Sequence, residues 1–450
     1  LETSVSNVGV VASCECHTSG RDPSEDVSVK RMACVRIYPN KRQKARLRFI
    51  LDVTCELYNV MLEQRRWVWM TRRRMVSSRE QYAQLTELRA VDPRIAAVYR
   101  ECEDVTLHKL DLAFVSFFRA RAKGIKRRFP RFKAGSRWSQ IAFSHGNRAI
   151  RLDDAQKRLQ VPGIGWMRIR RGRLIPSAFG RAFIQERQGR WYAIFECERN
   201  VKPLPPTSIL IGIDRGIHSV LALSDGLRIP NLAVGEKRRA ATASLQRQLE
   251  AATVRDRKSR VINRNDPDRL AAARRLSRAR ERQRNARRDY LHKLSRKIID
   301  GADVLCLERL DLRSMTRSAK GTLTSPGRSV SAKSVLNRKI LDTGFGLLRN
   351  MIVSKAEEAA RTIIEVSARY SSQTCSACGL VDSKSRRGRL FRCVRCGHLG
   401  HADVEAAREI RRRAESQLMR DDAGAEPACI ARLVQMSPTT RCLSSMKPAS

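Results

Sequence analysis

Residues 208–214 read Ser208-Ile-Leu-Ile-Gly-Ile-Asp214, an almost wholly apolar run that ends in a carboxylate. Such a run is typical of a buried strand whose last side chain emerges at the rim of a sheet. Ser219–Ser224 is predicted as a second strand, and Val304–Glu308 as a third that again ends in an acid. Thr362–Val366 is predicted as a fourth. These runs indicate a domain built on a sheet with acids at its edge.

Three acids are candidates for a single site: Asp214, Glu308 and Asp403. The third opens a predicted helix, one face of which carries four residues at three-four spacing: Asp403, Ala406, Ala407 and Ile410. Small residues on that face permit close docking on the sheet, which would bring the acid of the helix towards the other two. Single acids near strand ends are also common without a catalytic role, and the chain has others: Asp225, Asp303, Asp311 and Glu365. Only the set of three is therefore informative.

Carboxylates that converge repel one another unless divalent cations lie between them. Two Mg²⁺ ions held by such a set activate a water and stabilise the departing 3′ oxygen of a phosphodiester. The candidate acids are therefore expected to be ligands of catalytic magnesium in a nuclease.

Two matching cysteine turns precede the third acid: Cys375-Ser-Ala-Cys378-Gly379 and Cys393-Val-Arg-Cys396-Gly397. Thiolates in such turns converge tetrahedrally on Zn²⁺, and the glycine after each second cysteine tolerates the backbone conformation that the turn needs. Free cysteine can also be a small buried apolar residue, but the repeated spacing favours zinc. His398 and His401 are nearby, although four thiolates already complete the shell. The zinc is expected to be structural.

The composition points to a nucleic-acid partner. The 450 residues include 90 Lys+Arg against 45 Asp+Glu, a formal net charge of +45, and 42% are hydrophobic, enough for more than one core. Such a charge destabilises an isolated compact state by self-repulsion unless a polyanion neutralises it, and phosphate binding would be strongly salt-dependent. No apolar run approaches a membrane span, and the N-terminus lacks a secretory pattern. Most of the 13 cysteines are scattered singly, which suits reduced thiols in a cytoplasm better than a disulfide framework.

The first half of the chain has two different patterns. Residues 34–38 alternate like a strand, and residues 41–135 are mostly helical with a turn at Asp92-Pro93. Residues 136–200 then have period two, with predicted strands at Ser139–Phe143, Ala149–Leu152, Trp166–Ile169 and Arg190–Cys197. This spacing predicts a small antiparallel barrel.

The second half also contains helical segments. Residues 235–299 are predicted as two long Arg-rich helices broken at Asn265-Asp266-Pro267, and residues 336–360 as one further helix. The basic helices fit either a solvated face or a pair of helices along a bound nucleic-acid duplex. Three aromatic residues among basic ones, Phe129, Phe132 and Trp138, fit either base stacking or the core, with at least one expected in the core.

Several of these motifs carry a family resemblance. Three segments resemble the split motifs of the RuvC nuclease of the TnpB family, the transposon-encoded relatives of compact type V CRISPR effectors: Ile211-Gly212-Ile213-Asp214-Arg215-Gly216, Leu307-Glu308, and the cysteine pairs followed by His401-Ala402-Asp403-Val404-X-Ala406-Ala407. Four further segments continue the match: Arg36-Ile37-Tyr38-Pro39 with Gln43, Tyr58-Asn59, Pro130-Arg131-Phe132-Lys133 and Tyr370-Ser-Ser-Gln373-Thr374-Cys375. The resemblance covers about residues 34–412 and is specific in the last third.

The resemblance implies an α/β multidomain protein. It would have an RNase H-like (RuvC) nuclease domain with an inserted zinc ribbon, and a small N-terminal β-barrel (wedge) split by a helical recognition insertion. The predicted parts are a disordered extension at 1–31, the wedge-like barrel at 32–40 and 136–205, the helical insertion at 41–135, the nuclease domain at 206–372 and 401–415, the zinc ribbon at 373–400, and an irregular tail at 416–450.

The same resemblance implies an RNA-guided DNA endonuclease. A guide RNA would specify double- or single-stranded target DNA beside a short recognised motif, and one RuvC site would cut both strands in turn. In the family pattern an arginine between the cysteine pairs serves the active site, and Arg386 matches that position best, ahead of Arg387 and Arg389. Its alternative role is contact with the DNA backbone. The sequence leaves the oligomeric state open.

Two positions depart from the family pattern. Ala368 replaces the usual Pro, and Glu405 replaces the usual Asn after the third motif's Asp-Val. A fourth acid beside the metal ions would be expected to tune or disturb the nuclease site.

Two other functions compete with the enzyme. The same architecture binds RNA and DNA without cutting in a guided repressor, and a guide-free zinc-ribbon transposase or resolvase is the third possibility. The three intact acids favour the enzyme over the repressor. A resolvase needs neither the barrel nor the helical insertion.

Overall fold

The computed structural model describes residues 27–125, 128–170, 178–201, 203–253, 266–322 and 324–421. The chain divides into two compact units, Ser28–Arg199 and a second unit that begins at Asn200. The boundary lies close to residue 206, where the nuclease domain was predicted to begin. Most of the predicted N-terminal extension and of the predicted tail lies outside the described residues.

The N-terminal unit consists of one sheet and a group of helices. Its elements are β1 (Val27–Tyr38), α1 (Lys41–Arg72), α2 (Ser78–Val91), α3 (Pro93–Ala96), α4 (Arg100–Ala122), a 3₁₀ turn (Gly135–Arg137), β2 (Gln140–Phe143), α5 (Gly146–Ala149), β3 (Arg151–Asp153), β4 (Arg158–Val161), β5 (Gly165–Ile169), β6 (Ala182–Arg187) and β7 (Arg190–Val201). The strands are hydrogen-bonded in the order β2-β6-β7-β1-β5-β4-β3. This order leaves β2 and β3 at the edges of the pairings described, so closure into a barrel stays a prediction.

Two details of this unit correct the sequence interpretation. Strand β1 begins at Val27, inside the segment predicted to be disordered, since it pairs with a neighbouring strand. The strands β4 and β6 were missed, because β4 has only two buried residues and β6 ends in a polar run.

Local sequence signals set the ends of the helices. Asn40 caps α1 in a capping box with Gln43, whose side-chain amide also donates to the carbonyl of Trp166 at 2.8 Å. Asp92 ends α2 and caps α3, where Pro93 takes the first helical position, as the predicted turn requires.

The segment that contains the three aromatic residues, 129–138, contacts α1. Asn59 exchanges two hydrogen bonds with the backbone of Lys133, at 2.8 and 2.9 Å. The Trp138 indole N–H donates to Thr54 at 2.9 Å, and its ring packs against the apolar core. Thus Trp138 has a packing role, as expected for at least one of the three aromatic residues.

The other two aromatic residues differ in exposure. Phe129 makes edge contacts with Phe114 and Phe117, with ring centroids 5.2 and 5.4 Å apart. Phe132 is 47% exposed beneath the guanidinium of Arg66, 5.3 Å from the ring centroid. Among the three, Phe132 is therefore best placed to stack on a base.

A buried acid gives the N-terminal unit a pH-dependent stability. Glu103 is fully buried on α4 and accepts a hydrogen bond from Arg89 at 2.7 Å. Burial raises the pKa of Glu103 from 4.5 to about 7, although Arg89 opposes the shift. The folded state then binds a proton that the unfolded chain releases near pH 4.5, so stability falls as the pH rises from 4.5 through 7.

We expect Glu103→Gln to remove this pH dependence. Between pH 4.5 and 8 the wild type should lose about 3 kcal/mol more free energy of unfolding than the variant. Urea titrations at several pH values would measure the difference. Parallel pH profiles for the two proteins would contradict the assignment.

The second unit is built on a five-stranded sheet. Its elements are β8 (Leu210–Asp214), β9 (Ser219–Leu223), β10 (Arg228–Pro230), α6 (Val234–Lys237), α7 (Arg239–Ala251), α8 (Pro267–Gly301), β11 (Val304–Arg309), α9 (Leu312–Met315), α10 (Val330–Thr343), α11 (Phe345–Ala359), β12 (Thr362–Ser367), a 3₁₀ turn (Ser383–Ser385), β13 (Arg386–Arg387), β14 (Leu390–Arg392), β15 (Leu399–His401) and α12 (Ala402–Asp421). The large sheet has the order β10-β9-β8-β11-β12, and the last three strands form a separate small sheet. Strand β11 is parallel to β8 and β12, whereas β9 is antiparallel to β8 and β10.

Helices cover both faces of the large sheet. Ile211, Ile213, Leu305 and Leu307 pack against α8 and α11, whereas the alternate residues Leu210, Val304 and Cys306 pack against α12. This alternation is the two-residue repeat of a strand. It accounts for the nearly continuous apolar runs, since both faces are buried.

Two helix predictions need correction. The helix predicted for residues 336–360 is two helices, α10 and α11, separated by Gly344 in the left-handed conformation at φ 76°. The predicted irregular tail begins too early, since α12 continues to Asp421. By contrast, Asp266 caps α8 and Pro267 is its first residue, at the predicted break. None of the helices described in the chain is long and apolar enough to cross a membrane.

Candidate nuclease site and zinc ribbon

Two of the three candidate acids lie at the ends of adjacent parallel strands. In β8 and β11, Ile213 pairs with Leu307, so Asp214 and Glu308 are the next residues at the same edge of the sheet. Each acid follows a residue that faces α8 and α11. The alternation of the strand therefore directs both acids to the opposite face, the one that α12 covers.

The third acid lies in the first turn of α12. Asp403 lies near the other two acids because α12 docks directly on β8. The closeness of this contact is shown by Gly212, since a Cβ built on it would lie 2.0 Å from the carbonyl oxygen of Ala407. Only glycine permits this approach, and the buried Ala406 and Ala407 keep the helix close. The predicted docking face of the helix is confirmed.

The electrostatics of Asp214 reflect this convergence. Burial, followed by the negative charges of Glu308 and Asp403, raises the pKa of Asp214 well above its usual value. Arg386 and Arg215 partly offset the shift. A site that raises the proton affinity of its acids in this way favours a bound cation over the bare carboxylates.

The four cysteines form a compact group of metal-binding side chains. Among the residues that the structure describes, one group of at least three metal-binding side chains has all its ligand atoms within 4.8 Å of one another, and it is the four cysteines. Two ions about 3.5–4 Å apart need a more extended set of ligands than one ion does.

Arg386 approaches the site from the small sheet. Its Nη2 lies 3.6 Å from Oδ1 of Asp403. The next residue, Arg387, is exposed, because neighbouring residues of a strand face opposite ways. Arg389 instead contacts His218 at 3.3 Å. Of the three arginines considered from the sequence, Arg386 is the one that the described contacts bring to the acids.

The sequence interpretation missed Arg215. Its guanidinium is buried, it donates to the backbone carbonyl of Glu308, and its backbone N–H donates to a carboxylate oxygen of Glu308 at 3.2 Å. Burial lowers the pKa of Arg215, and Glu308 opposes that shift. An arginine directly after an acid at the end of a buried strand was the available signal, because a buried cation needs a partner.

The other acids considered from the sequence have structural partners: Asp225, Asp303, Asp311 and Glu365. Asp225 and Asp311 accept backbone hydrogen bonds in local turns, and Glu365 forms a paired contact with Arg349. Asp303 accepts backbone hydrogen bonds from Thr207 and the residue after it. These contacts explain the four acids without catalysis.

The four cysteines converge as the spacing predicts. The Sγ atoms of Cys375 and Cys396 are 3.7 Å apart, and those of Cys378 and Cys393 are 3.5 Å apart. Four sulfurs about 2.3 Å from a tetrahedral ion lie about 3.8 Å from one another, so the geometry fits Zn²⁺. The N–H of Cys396 helps to lower the pKa of Cys393 to about 6, which favours a thiolate ligand.

The two cysteine turns share one backbone geometry. Gly379 and Gly397 both have φ 73°, and their N–H groups donate to the carbonyls of Cys375 and Cys393 at 2.9 and 3.1 Å. The expectation that glycine is needed after each second cysteine is confirmed.

Known proteins share both regions of the site. One family model, described as a probable transposase, matches residues 194–319, and another, the Cas12f1-like TNB domain, matches residues 345–410. The putative RNA-guided DNA endonuclease InsQ of Escherichia coli (strain K12) is 33% identical over 307 residues, 68% of this chain and 72% of that protein. The chain belongs to the TnpB family. A second member, a putative RNA-guided DNA endonuclease of Streptomyces pristinaespiralis, is 29% identical over 401 residues, 85% of this chain and 89% of that protein.

Among solved structures, the mini-RNA-guided endonuclease CRISPR-Cas_phi3 is 9% identical with a TM-score of 0.43, covering 86% of this chain and 92% of that one. The two family models divide the candidate site between them. The match to the probable transposase contains Asp214 and Glu308, and the match to the TNB domain contains the four cysteines and Asp403.

Proposed function

We propose that this chain is an RNA-guided DNA endonuclease whose RuvC site cuts DNA by two-metal-ion phosphodiester hydrolysis. The observation that carries the proposal is the convergence of Asp214, Glu308 and Asp403 on one face of the sheet, in a chain 33% identical to a protein named as such an endonuclease. On this proposal the second unit is an RNase H-like nuclease with an inserted zinc ribbon. The N-terminal unit is a wedge-like barrel with a helical recognition insertion.

The chemistry follows from the charges at the site. Mg²⁺ ions bound by the three acids would activate a water and neutralise charge on the scissile phosphate and the leaving 3′ oxygen. Asp214 and Glu308 hold their oxygens at the ends of rigid strands, and the backbone N–H of Arg215 orients the Glu308 carboxylate. Asp403 is held at the start of a helix, where the helix dipole favours a negative charge.

Arg386 is proposed to bind the scissile phosphate. It lies beside Asp403 on a small, rigid sheet, and its side chain is partly exposed and able to reach a substrate. We expect Arg386→Ala to lower the cleavage rate about 10²–10³-fold, since it removes a donor aimed at developing charge. Target binding by the guided complex should change little.

The matched control for this prediction is Arg387→Ala, the neighbouring exposed arginine on the same strand. Its cleavage rate should stay within a few fold of the wild type. Single-turnover cleavage with a saturating complex would measure both variants. Equal effects of the two substitutions would show that the basic hairpin acts only through the DNA backbone.

A cationic groove in the second unit supports the nucleic-acid partners. The groove has a volume of about 660 Å³ and lies among α6, α7, α8 and α10. Five cations line it: Arg239, Arg280, Arg287, Arg338 and Lys339. Asp342 pairs with Arg287, and Glu236 also lines the groove. Positive side chains still outnumber negative ones there, which favours the binding of phosphates. We propose that the cations of this groove contact the phosphate backbone of the guide–target heteroduplex.

The proposal is tested by the RNA that the protein carries. The chain would be co-expressed with its flanking locus and purified, and the bound RNA sequenced. A discrete RNA whose variable end directs binding to a matching DNA duplex beside a short motif is expected. A protein that binds and cleaves DNA equally well after ribonuclease treatment would instead be the guide-free transposase or resolvase. Guided binding without cutting would leave the repressor.

A further inference from the structure

Glu405 is a completely enclosed carboxylate two residues after Asp403. It is 1% exposed, and three side chains surround its oxygens. Ser376 donates to Oε2, Nε2 of His398 lies 3.0 Å from the same oxygen, and Arg408 donates to Oε1 at 2.7 Å. Together these three side chains surround the buried carboxylate of Glu405 with polar groups.

The contacts involve three parts of the zinc ribbon. Ser376 is inside the first cysteine turn, and His398 follows the second. A Cβ built on Gly400 would lie 2.4 Å from Oε1 of Glu405, so the backbone of β15 lies directly against the carboxylate. Both cysteine turns and the last ribbon strand therefore meet at one side chain of α12.

The expectation that Glu405 is a fourth acid at the metal ions is wrong. Residues two apart on a helix are separated by about 200°, so Glu405 and Asp403 face nearly opposite directions. Asp403 faces the acids of the sheet, whereas Glu405 faces the ribbon. The departure from the family pattern thus concerns the ribbon rather than the magnesium site.

We propose that Glu405 is a positioning residue that couples the zinc ribbon to Asp403. A buried carboxylate is stable only when donors or cations surround it. The ribbon supplies the donor Ser376, and it also places His398 3.0 Å from the same oxygen. The folded ribbon and the first turn of α12 therefore stabilise each other. The inference rests on the proposed nuclease function, because the benefit is the placement of Asp403.

The ribbon gains from the same contact. Arg386 is on the ribbon and lies beside Asp403, which is on α12. A displacement of the ribbon relative to α12 would therefore change the distance between these two side chains. Glu405 holds the ribbon against α12 two residues from Asp403, and therefore close to the contact between Asp403 and Arg386. Asn, the usual residue of the family pattern, is one methylene shorter and uncharged, so we expect it to lose part of this set of partners.

The test compares Glu405→Asn and Glu405→Gln in the purified protein–RNA complex. The first readout is the rate of zinc release to a chromogenic chelator, which does not depend on cleavage. We expect Glu405→Asn to release zinc about tenfold faster than the wild type, as when a group that orients metal ligands is lost. Glu405→Gln keeps the length and should lie between the two.

The second readout is the single-turnover cleavage rate at saturating target. It should fall with Glu405→Asn while target affinity stays unchanged. Glu415→Gln is the matched control, since Glu415 pairs with Arg411 at 2.8 Å on the same helix, away from the ribbon. Both readouts should equal those of the wild type in this control.

His398→Gln gives a second route if Glu405→Asn does not fold. The substitution removes one neighbour of Glu405, and the side chain of His398 is 28% exposed, so the ribbon should tolerate the change. We expect zinc release to be faster than in the wild type. Wild-type zinc release in Glu405→Asn, or in His398→Gln if the former does not fold, would overturn the proposal. Faster release with unchanged cleavage would overturn the link to Asp403. If the wild type itself fails to cleave, the nuclease function fails, while zinc release still decides the role of Glu405.

Discussion

Asp214→Asn should abolish DNA cleavage and leave guided target binding intact. The substitution keeps the shape of the side chain and removes the charge that the proposed magnesium ions require. The cleavage rate should fall by at least about 10³-fold, a loss of about 4 kcal/mol of transition-state stabilisation. Single-turnover cleavage and target affinity would be measured on the same preparation of the protein–RNA complex.

Asp225→Asn is the matched control for this variant. Asp225 follows the next strand and accepts a hydrogen bond from the backbone of Leu227 in a turn. Its cleavage rate should remain close to that of the wild type. A cleavage rate for Asp214→Asn near the wild-type value would remove Asp214 from the catalytic set.

Gly212→Ala should displace α12 and thereby damage both stability and cleavage. The added Cβ would lie 2.0 Å from the carbonyl oxygen of Ala407, so strand and helix must separate. Overpacking between two backbone segments should lower the free energy of unfolding by about 3 kcal/mol or more. Because Asp403 is on the displaced helix, cleavage should fall even at temperatures where the variant stays folded.

Gly135→Ala provides the same chemical change where a Cβ has nothing within 4 Å. Thermal unfolding and cleavage of the two variants would be compared side by side. A Gly212→Ala protein with wild-type melting temperature and cleavage would contradict the close docking of α12 on β8.

The parts of the site that could be predicted are those with a short sequence period or spacing. The apolar runs before Asp214 and Glu308 indicate buried strands, and parallel pairing then brings their ends together. The Cys-X-X-Cys spacing fixes the ribbon because tetrahedral ligation leaves few alternatives. These features depend on local chemistry, so one sequence is enough.

The remaining features depend on contacts between distant segments. The environment of Glu405 is made by Ser376 and His398, which are 29 and 7 positions away, and no spacing rule relates the three. The break at Gly344 was missed because the apolar repeat of α10 and α11 continues across it. Helical periodicity reports which residues are buried and does not report the change of direction.

The choice of Arg386 shows how structure resolves an ambiguous match. The family resemblance favoured Arg386 but left Arg387 and Arg389 as competitors, since the three arginines lie close together in the chain. Strand alternation separates the first two, and the contact with His218 occupies the third. The proximity of Arg386 to Asp403 supports the proposed role, which the cleavage assay of the alanine variants decides.

The central claim is tested most directly by cleavage of supercoiled plasmid with a reprogrammed guide. The complex would be reconstituted with a guide for a chosen target and incubated with Mg²⁺ or with EDTA. The account predicts linear plasmid only when target, flanking motif and Mg²⁺ are all present, with a mismatched guide inactive. Intact plasmid under every condition, from a complex that binds the matched target, would contradict the nuclease function and leave a guided DNA-binding protein.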